Sequence, residues 1–210
     1  MALPLALPIG PVAAQSGPQS TPYTTPYGGL AVSEFGGRWT ELTRLGYMWT
    51  YSTAAAGVNI PIYTSTTQQF VLSNPSGSGV SLLLKSWVAG YVSGAPVVGN
   101  FVICGANVTS ATAPSGTAGL QFNNSTGAII GNKVSCLGST VTVVAATWFR
   151  PSMSVFTTTS GNSPVLMGED LDGSIIVRPG GWVGLAANAA TFGTMFLAFQ
   201  GAEIPVSTGF

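Results

Sequence analysis

Hydrophobic positions along this chain come in short alternating runs, cut apart by clusters of glycine, proline, asparagine and serine. Alternation with a period of two is the mark of a strand that buries one face. The clearest case is Thr194–Gln200, where Met195, Leu197 and Phe199 fall on one side and Phe196, Ala198 and Gln200 on the other. Before it lie two further apolar segments, Ser174–Arg178 and Trp182–Ala187, joined by Pro179-Gly180-Gly181. Proline presets φ for the second position of a β-turn, and glycine accepts the positive φ that a type II turn needs at the third. Pro179, Gly180 and Gly181 therefore predict a tight, hairpin-like connection.

The same pattern recurs upstream. Tyr47–Thr53 and Val58–Tyr63 read as short strands rich in aromatic and β-branched residues. Thr67–Ser73 runs into Asn74-Pro75-Ser76-Gly77-Ser78-Gly79, where Asn74, Pro75, Gly77 and Gly79 mark a turn. Val80–Val92 predicts a long strand with Val80, Leu82, Leu84 and Val88 on one face, followed by Val97–Cys104. Residues 105–138 contain APSGTAG and NNSTG and predict a long excursion with at most short strands. Thr140–Phe149 reads as a strand that Val155–Thr159 could continue, and Val165–Leu171 leads into the closing unit. With eight or more strands, turn signals about every ten residues and no long helix, the fold class is all-β, a sandwich or barrel. EFGGRWTELTRLG, with Glu34, Arg38, Glu41 and Arg44 at helical spacing, predicts either a short helix or the lead-in to the first strand.

Residues 1–33 stand apart from the β-domain of residues 34–210. Prolines at 4, 8, 11, 18, 22 and 26 disfavour helix and central strand and favour an extended arm. Leu3, Leu5, Leu7, Ile9, Tyr23 and Tyr27 make this arm more apolar than a solvated tail, so it is expected to lie along another surface. MALPLALPIGPVAA lacks a basic leader and is broken by proline, so we read it as retained.

Charge changes the picture. Charged residues make up 6% of the 210, six Lys+Arg against six Asp+Glu, where an ordinary domain carries roughly 25%. A chain with so little charge is expected to work with much of its surface covered by neighbours. Net neutrality also argues against nucleic acid. The mean hydropathy of +0.43 comes from dispersed Ala, Val and Leu, and no window holds the ~18 unbroken apolar residues of a spanning helix.

Candidate chemistry is sparse. The chain has no histidine, which removes Ser-His-Asp and Cys-His systems and histidine metal ligation. Glu169-Asp170-Leu171-Asp172-Gly173 lacks calcium-loop spacing and reads as a solvated turn. Glu34 and Glu41 each have an arginine nearby, against a glycosidase pair. Cys104 and Cys136 sit in apolar strand text and read as buried free thiols. Trp87, Trp148 and Trp182 could stack sugars, but each lies in apolar text suited to a core or a subunit interface. No catalytic residue, metal or cofactor is expected.

Three motifs carry a family resemblance: Leu72-Ser73-Asn74-Pro75-Ser76-Gly77-Ser78-Gly79, then Gly173-Ser174-Ile175-Ile176-Val177-Arg178-Pro179-Gly180-Gly181-Trp182-Val183, then Glu203-Ile204-Pro205. With the aromatic-rich strand near the start, the chain resembles jelly-roll virion proteins that decorate or cement the heads of tailed bacteriophages, over roughly residues 40–205. The resemblance implies an antiparallel jelly-roll sandwich with an extended Pro-rich N-terminal arm. It implies a structural protein on the capsid surface, made in the host cytoplasm. Its partners would be the major capsid protein and copies of itself, as a trimer or other cyclic homo-oligomer, with no nucleic acid and no membrane. A tail-fibre or receptor-binding module that takes carbohydrate is the alternative on the same fold. A major capsid subunit would usually carry a basic arm, and this arm is uncharged apart from its terminal amine.

Overall fold

The computed structural model describes residues 38–94, 99–107, 113–155, 166–188 and 193–206. The chain divides into a unit of residues 1–41 and a unit of residues 42–210. The arm read over residues 1–33, with Leu3, Leu5, Leu7, Ile9, Tyr23 and Tyr27, lies outside the described residues.

Of the two readings of EFGGRWTELTRLG, the helix is realised as α1, Arg38–Arg44. Glu41 lies in its first turn and Arg44 in its last, each favourable to the helix dipole. Gly46, at φ 78°, stops it. The Gly46 N–H bonds Thr43 O and the Tyr47 N–H bonds Leu42 O, both at 2.9 Å, the paired bonds of a Schellman motif.

Thirteen strands follow among the described residues: β1 Met48–Ser52, β2 Val58–Asn59, β3 Thr67–Gln68, β4 Val71–Ser73, β5 Val80–Ser93, β6 Gly99–Asn107, β7 Ser115–Ala118, β8 Leu120–Asn123, β9 Ser135–Thr142, β10 Trp148–Val155, β11 Leu166–Val177, β12 Gly181–Ala187 and β13 Thr194–Pro205. They form two antiparallel sheets, one ordered β11-β5-β13-β1-β8 and the other β10-β6-β12-β4-β9-β3. β2 adds to β13 in the first, and β7 adds to β9 in the second. The described residues are nearly all-β, and their two antiparallel sheets are compatible with a β-sandwich.

The main core lies between the sheets. Tyr51, Leu84, Trp87, Leu197 and Phe199 come from the first sheet, and Leu72, Phe101, Ile103 and Leu185 from the second. Two aromatic pairs cross the gap, Trp87 with Phe101 at 5.1 Å and Phe70 with Phe199 at 5.5 Å. Each such pair contributes about 0.5–1.5 kcal/mol beyond its buried area. β12 is buried along its whole length because a second cluster roofs the outer face of its sheet. There Val71, Val102, Cys104, Trp182 and Ala186 pack with Val141 and Val143.

That roof explains one departure from the sequence reading. Thr140–Phe149 is not one strand: β9 ends at Thr142 and β10 begins at Trp148. Val143, Val144 and Ala146 between them cover the outer cluster, so their apolar character reflects burial beneath a connection. A second departure lies in β5. Ser86 pairs with Gln200 and Leu84 with Gly201, leaving Lys85 as an unpaired bulge. An extra residue flips the inward phase of a strand. Leu82 and Leu84 point inward before it, Trp87 and Ala89 after it, and Val88 falls on the opposite face from the one expected. The runs read as Val58–Tyr63 and Thr67–Ser73 are also shorter, reduced to β2 and to β3 plus β4.

Candidate interaction surface

The two turn motifs singled out in the sequence meet in space, and Asn74 joins them. Its N–H bonds Gly181 O at 2.9 Å, and its carbonyl accepts from the Gly180 N–H at 2.7 Å. Its Nδ2 donates to Val80 O at 2.8 Å and to Val177 O at 2.9 Å, capping the start of β5 and the end of β11. Asn74 is buried, and its Oδ1 has no hydrogen-bond partner. Gly180 has φ 88°, and the Gly181 N–H closes the turn onto Arg178 O at 2.9 Å. Pro179 and Gly180 thus occupy the second and third positions of the turn, and positive φ at the third belongs to type II. At the other turn Ser78 N–H bonds Pro75 O at 3.0 Å, and Gly79 takes φ 70°. Gly77 keeps an ordinary φ, with nothing within 4 Å of where a Cβ would stand.

Glu203 was legible in the sequence only as an acidic residue before a proline. In the structure it is 5% exposed and holds three donors. Tyr51 Oη bonds Oε1 at 2.8 Å, Val134 N–H bonds Oε1 at 2.9 Å, and Lys133 N–H bonds Oε2 at 2.8 Å. A carboxylate with three donors fixes the end of the 124–134 loop to β13 and β1. Burial, then the Glu203 charge, pushes the Tyr51 phenol well above its ordinary value. No signal of local spacing could have found this group, because its partners lie about 70 and 150 residues away.

The acidic run at 169–172 is not a simple solvated turn. Glu169 lies in β11 opposite Trp87. Its Oε1 is 2.5 Å from Arg150 Nη2, and its Oε2 accepts from Ser152 Oγ. Ser152 Oγ in turn accepts from Trp87 Nε1 at 3.0 Å. Arg150 and Ser152 belong to β10, so this network ties the edge of one sheet to the edge of the other. Asp172 and Gly173, at φ 44° and 78°, form the irregularity that interrupts the pairing of β11 with β5. Among the described residues no group of three His, Cys, Asp or Glu is placed to hold a metal ion.

Cys104 and Cys136 are free and buried, one in the outer cluster and one in the main core. Desolvation raises both thiols from 9.0 to about 12, so both are poor nucleophiles near neutral pH. Trp87 and Trp182 are 1% exposed and present no face to a ligand. Trp148 is half-buried. Its ring lies over Gly105, where a Cβ would stand 2.6 Å from the indole. Trp148, Asn107, Ser174, Ile175 and Ile176 line an open cleft of about 220 Å³.

Apolar side chains are exposed at the opposite edge of the first sheet. Leu120 and Phe122 on β8 are 44% and 39% exposed, and Ile129 and Ile130 beyond it are 61% and 79% exposed. The loop that carries the isoleucines is well tied. Asn123 Oδ1 accepts from Ser125 N–H and Thr126 N–H, and Gln121 and Asn132 bond each other at 2.8 and 2.9 Å. Among the described residues no helix is long and apolar enough to cross a membrane. The arrangement offers contact surface, a shallow cleft and rigid corners. No protein-family model, curated protein or solved structure matches the chain.

Proposed function

We propose that this chain is a structural protein of a tailed-phage virion that decorates or cements the head shell, and that it works by contact rather than catalysis. The observation that carries the reading is the pairing of an almost uncharged two-sheet domain with ordered, exposed apolar groups at its edge, Leu120, Phe122, Ile129 and Ile130. Isolated exposed leucines need no explanation, whereas a cluster within eleven residues marks a contact site. The turn motifs of the resemblance add support, since Asn74 joins the first of them to the second.

We also read the sandwich as a jelly roll. The support is strand order. Setting aside β2, β3 and β7–β9, eight strands remain, and they run β1-β13-β5-β11 in one sheet and β4-β12-β6-β10 in the other. First pairs with last, second with seventh, third with sixth and fourth with fifth. A long antiparallel ribbon folded over on itself gives that order.

In this reading the shell's major capsid protein and further copies of this chain are the partners, and the protein acts on the capsid surface after synthesis in the host cytoplasm. The arm of residues 1–33 fastens adjacent subunits through Leu3, Leu5, Leu7, Ile9, Tyr23 and Tyr27. Extended at ~3.1 Å per residue it would reach about 100 Å. No cofactor, metal or nucleic acid takes part. The test is co-sedimentation of the purified chain with shells that lack it. Saturable binding that raises the shell's melting temperature is expected, and absence of binding refutes the role. A carbohydrate-binding module is the second reading, favoured by the Trp148 cleft with its Asn107 and Ser174 side chains. Binding on a glycan array would select it.

A further inference from the structure

We propose that the connection of residues 143–147 is a lid that opens by itself, baring the outer face of the second sheet while the core between the two sheets stays closed. That face turns away from the main core, yet Cys104, Ala106 and Ala186 on it are 0% exposed. Their cover comes from connections rather than from a third layer of strands. Val143, Val144 and Ala146 pack over them, together with Tyr63 from the segment that follows β2.

The lid is held lightly. Its two ends are fixed by backbone bonds, the Val143 N–H donating to Thr66 O and the Thr147 N–H to Gly105 O, both at 2.9 Å. Among the described residues no backbone hydrogen bond holds Val144, Ala145 or Ala146 between them. Only Val143 is fully inside, while Val144 and Ala146 are half-buried and Ala145 and Thr147 face water. A segment with few buried side chains and unpaired backbone opens before the rest of a fold. Closing the lid also has a cost. Trp182, in the covered cluster, is buried, and its Nε1 has no hydrogen-bond partner. A buried donor without an acceptor has given up its bond to water, and opening that wets the cluster restores it.

The main core does not share the lid. None of Val143, Val144 and Ala146 belongs to the cluster between the sheets, so lifting them leaves the Trp87–Phe101 and Phe70–Phe199 pairs in place. The two thiols lie on opposite sides of the second sheet and report the two events separately. Cys104 belongs to the covered outer cluster and Cys136 to the main core. Opening of the lid wets the first, whereas the second is wetted only when the sheets part. A thiol returned to water ionises and reacts as an ordinary cysteine does.

The test is slow modification of the full-length chain by a thiol reagent, followed over hours, with the labelled cysteine identified by peptide mass spectrometry. A short pulse leaves both thiols unmodified. Over the longer exposure Cys104 is expected to react before Cys136. Its rate should barely change as urea is added below the unfolding transition, because a small opening exposes little surface. Cys136 is expected to follow the steep slope of global unfolding. Equal rates with equal slopes, or Cys136 reacting first, overturn the proposal. Val143→Ala removes the lid's buried anchor and is expected to speed Cys104 about tenfold. An unchanged Cys104 rate in that variant overturns the lid, since another segment must then expose the thiol. Leu197→Val, a mild change in the main core on the far sheet, is expected to speed Cys136 and leave Cys104 as it was. Both thiols speeding alike in Leu197→Val shows a single global opening and overturns it. The shell role stands or falls by co-sedimentation and is untouched by either result.

Discussion

The Tyr51 hydroxyl donates to Glu203 Oε1 at 2.8 Å in the interior, joining positions 152 residues apart. The same carboxylate takes the Lys133 and Val134 N–H groups, so one side chain links β1, β13 and the connection into β9. Removing it leaves three donors without an acceptor in a dry site. Glu203→Ala is expected to destabilise the domain by about 2–4 kcal/mol, and Tyr51→Phe by about 1–2 kcal/mol. Urea unfolding measures both, and values within error of zero would show the group to be dispensable.

Alkaline pH reads the same pair. Burial first, and the Glu203 charge second, raise Tyr51 well above 10.0, and burial raises Cys104 and Cys136 from 9.0 to about 12. A group whose folded pKa is raised favours its neutral form in the folded state. Its contribution is complete below the unfolded pKa and is lost as pH rises through the folded value. Stability should therefore decline from about pH 9 upward. Tyr51→Phe should lose less of it above pH 10, and parallel profiles would refute the assignment.

Gly180 at φ 88° is strained for any residue with a Cβ. Gly180→Val is expected to cost about 1–3 kcal/mol, read from the melting temperature. Asn74→Ala should cost a similar amount, because Val80 O and Val177 O lose their donor. An unchanged melt in both variants would mean that this corner is not a rigid joint.

Both thiols should be silent in the folded protein. At pH 8 a thiol-directed reagent is expected to leave native protein unlabelled, and to modify two cysteines per chain after unfolding. Fast labelling of either thiol without denaturant would contradict its burial.

The arm is tested by deletion. Removing residues 2–30 should leave the far-UV spectrum and melt of the β-domain intact while weakening binding to shells. Truncated protein that binds with full affinity and salt resistance would make the arm a passive tail.

Much of this protein was legible locally. Pro179-Gly180-Gly181 and the alternation of Met195, Leu197 and Phe199 act within a few residues, and the structure places all three side chains fully inside. Turn chemistry and strand period need no distant partner. Lys85 shows where that reading stops. Nothing in VSLLLKSWVAG marks the bulge, because it arises from register against β13 and β11 together. Val143 and Val144 mislead for a related reason, since an apolar run states that a residue is buried and not by what.

By itself, then, the sequence determined that the chain is built of strands and where two of its turns lie. The tertiary structure alone decided which strands are neighbours, how Asn74 joins two turns about a hundred residues apart, and which carboxylates are inside. Alternation orients a side chain toward or away from a core, but a pairing is won only when both sheets close around that core together. Glu203 is one acidic residue among six until Tyr51, Lys133 and Val134 are brought to it.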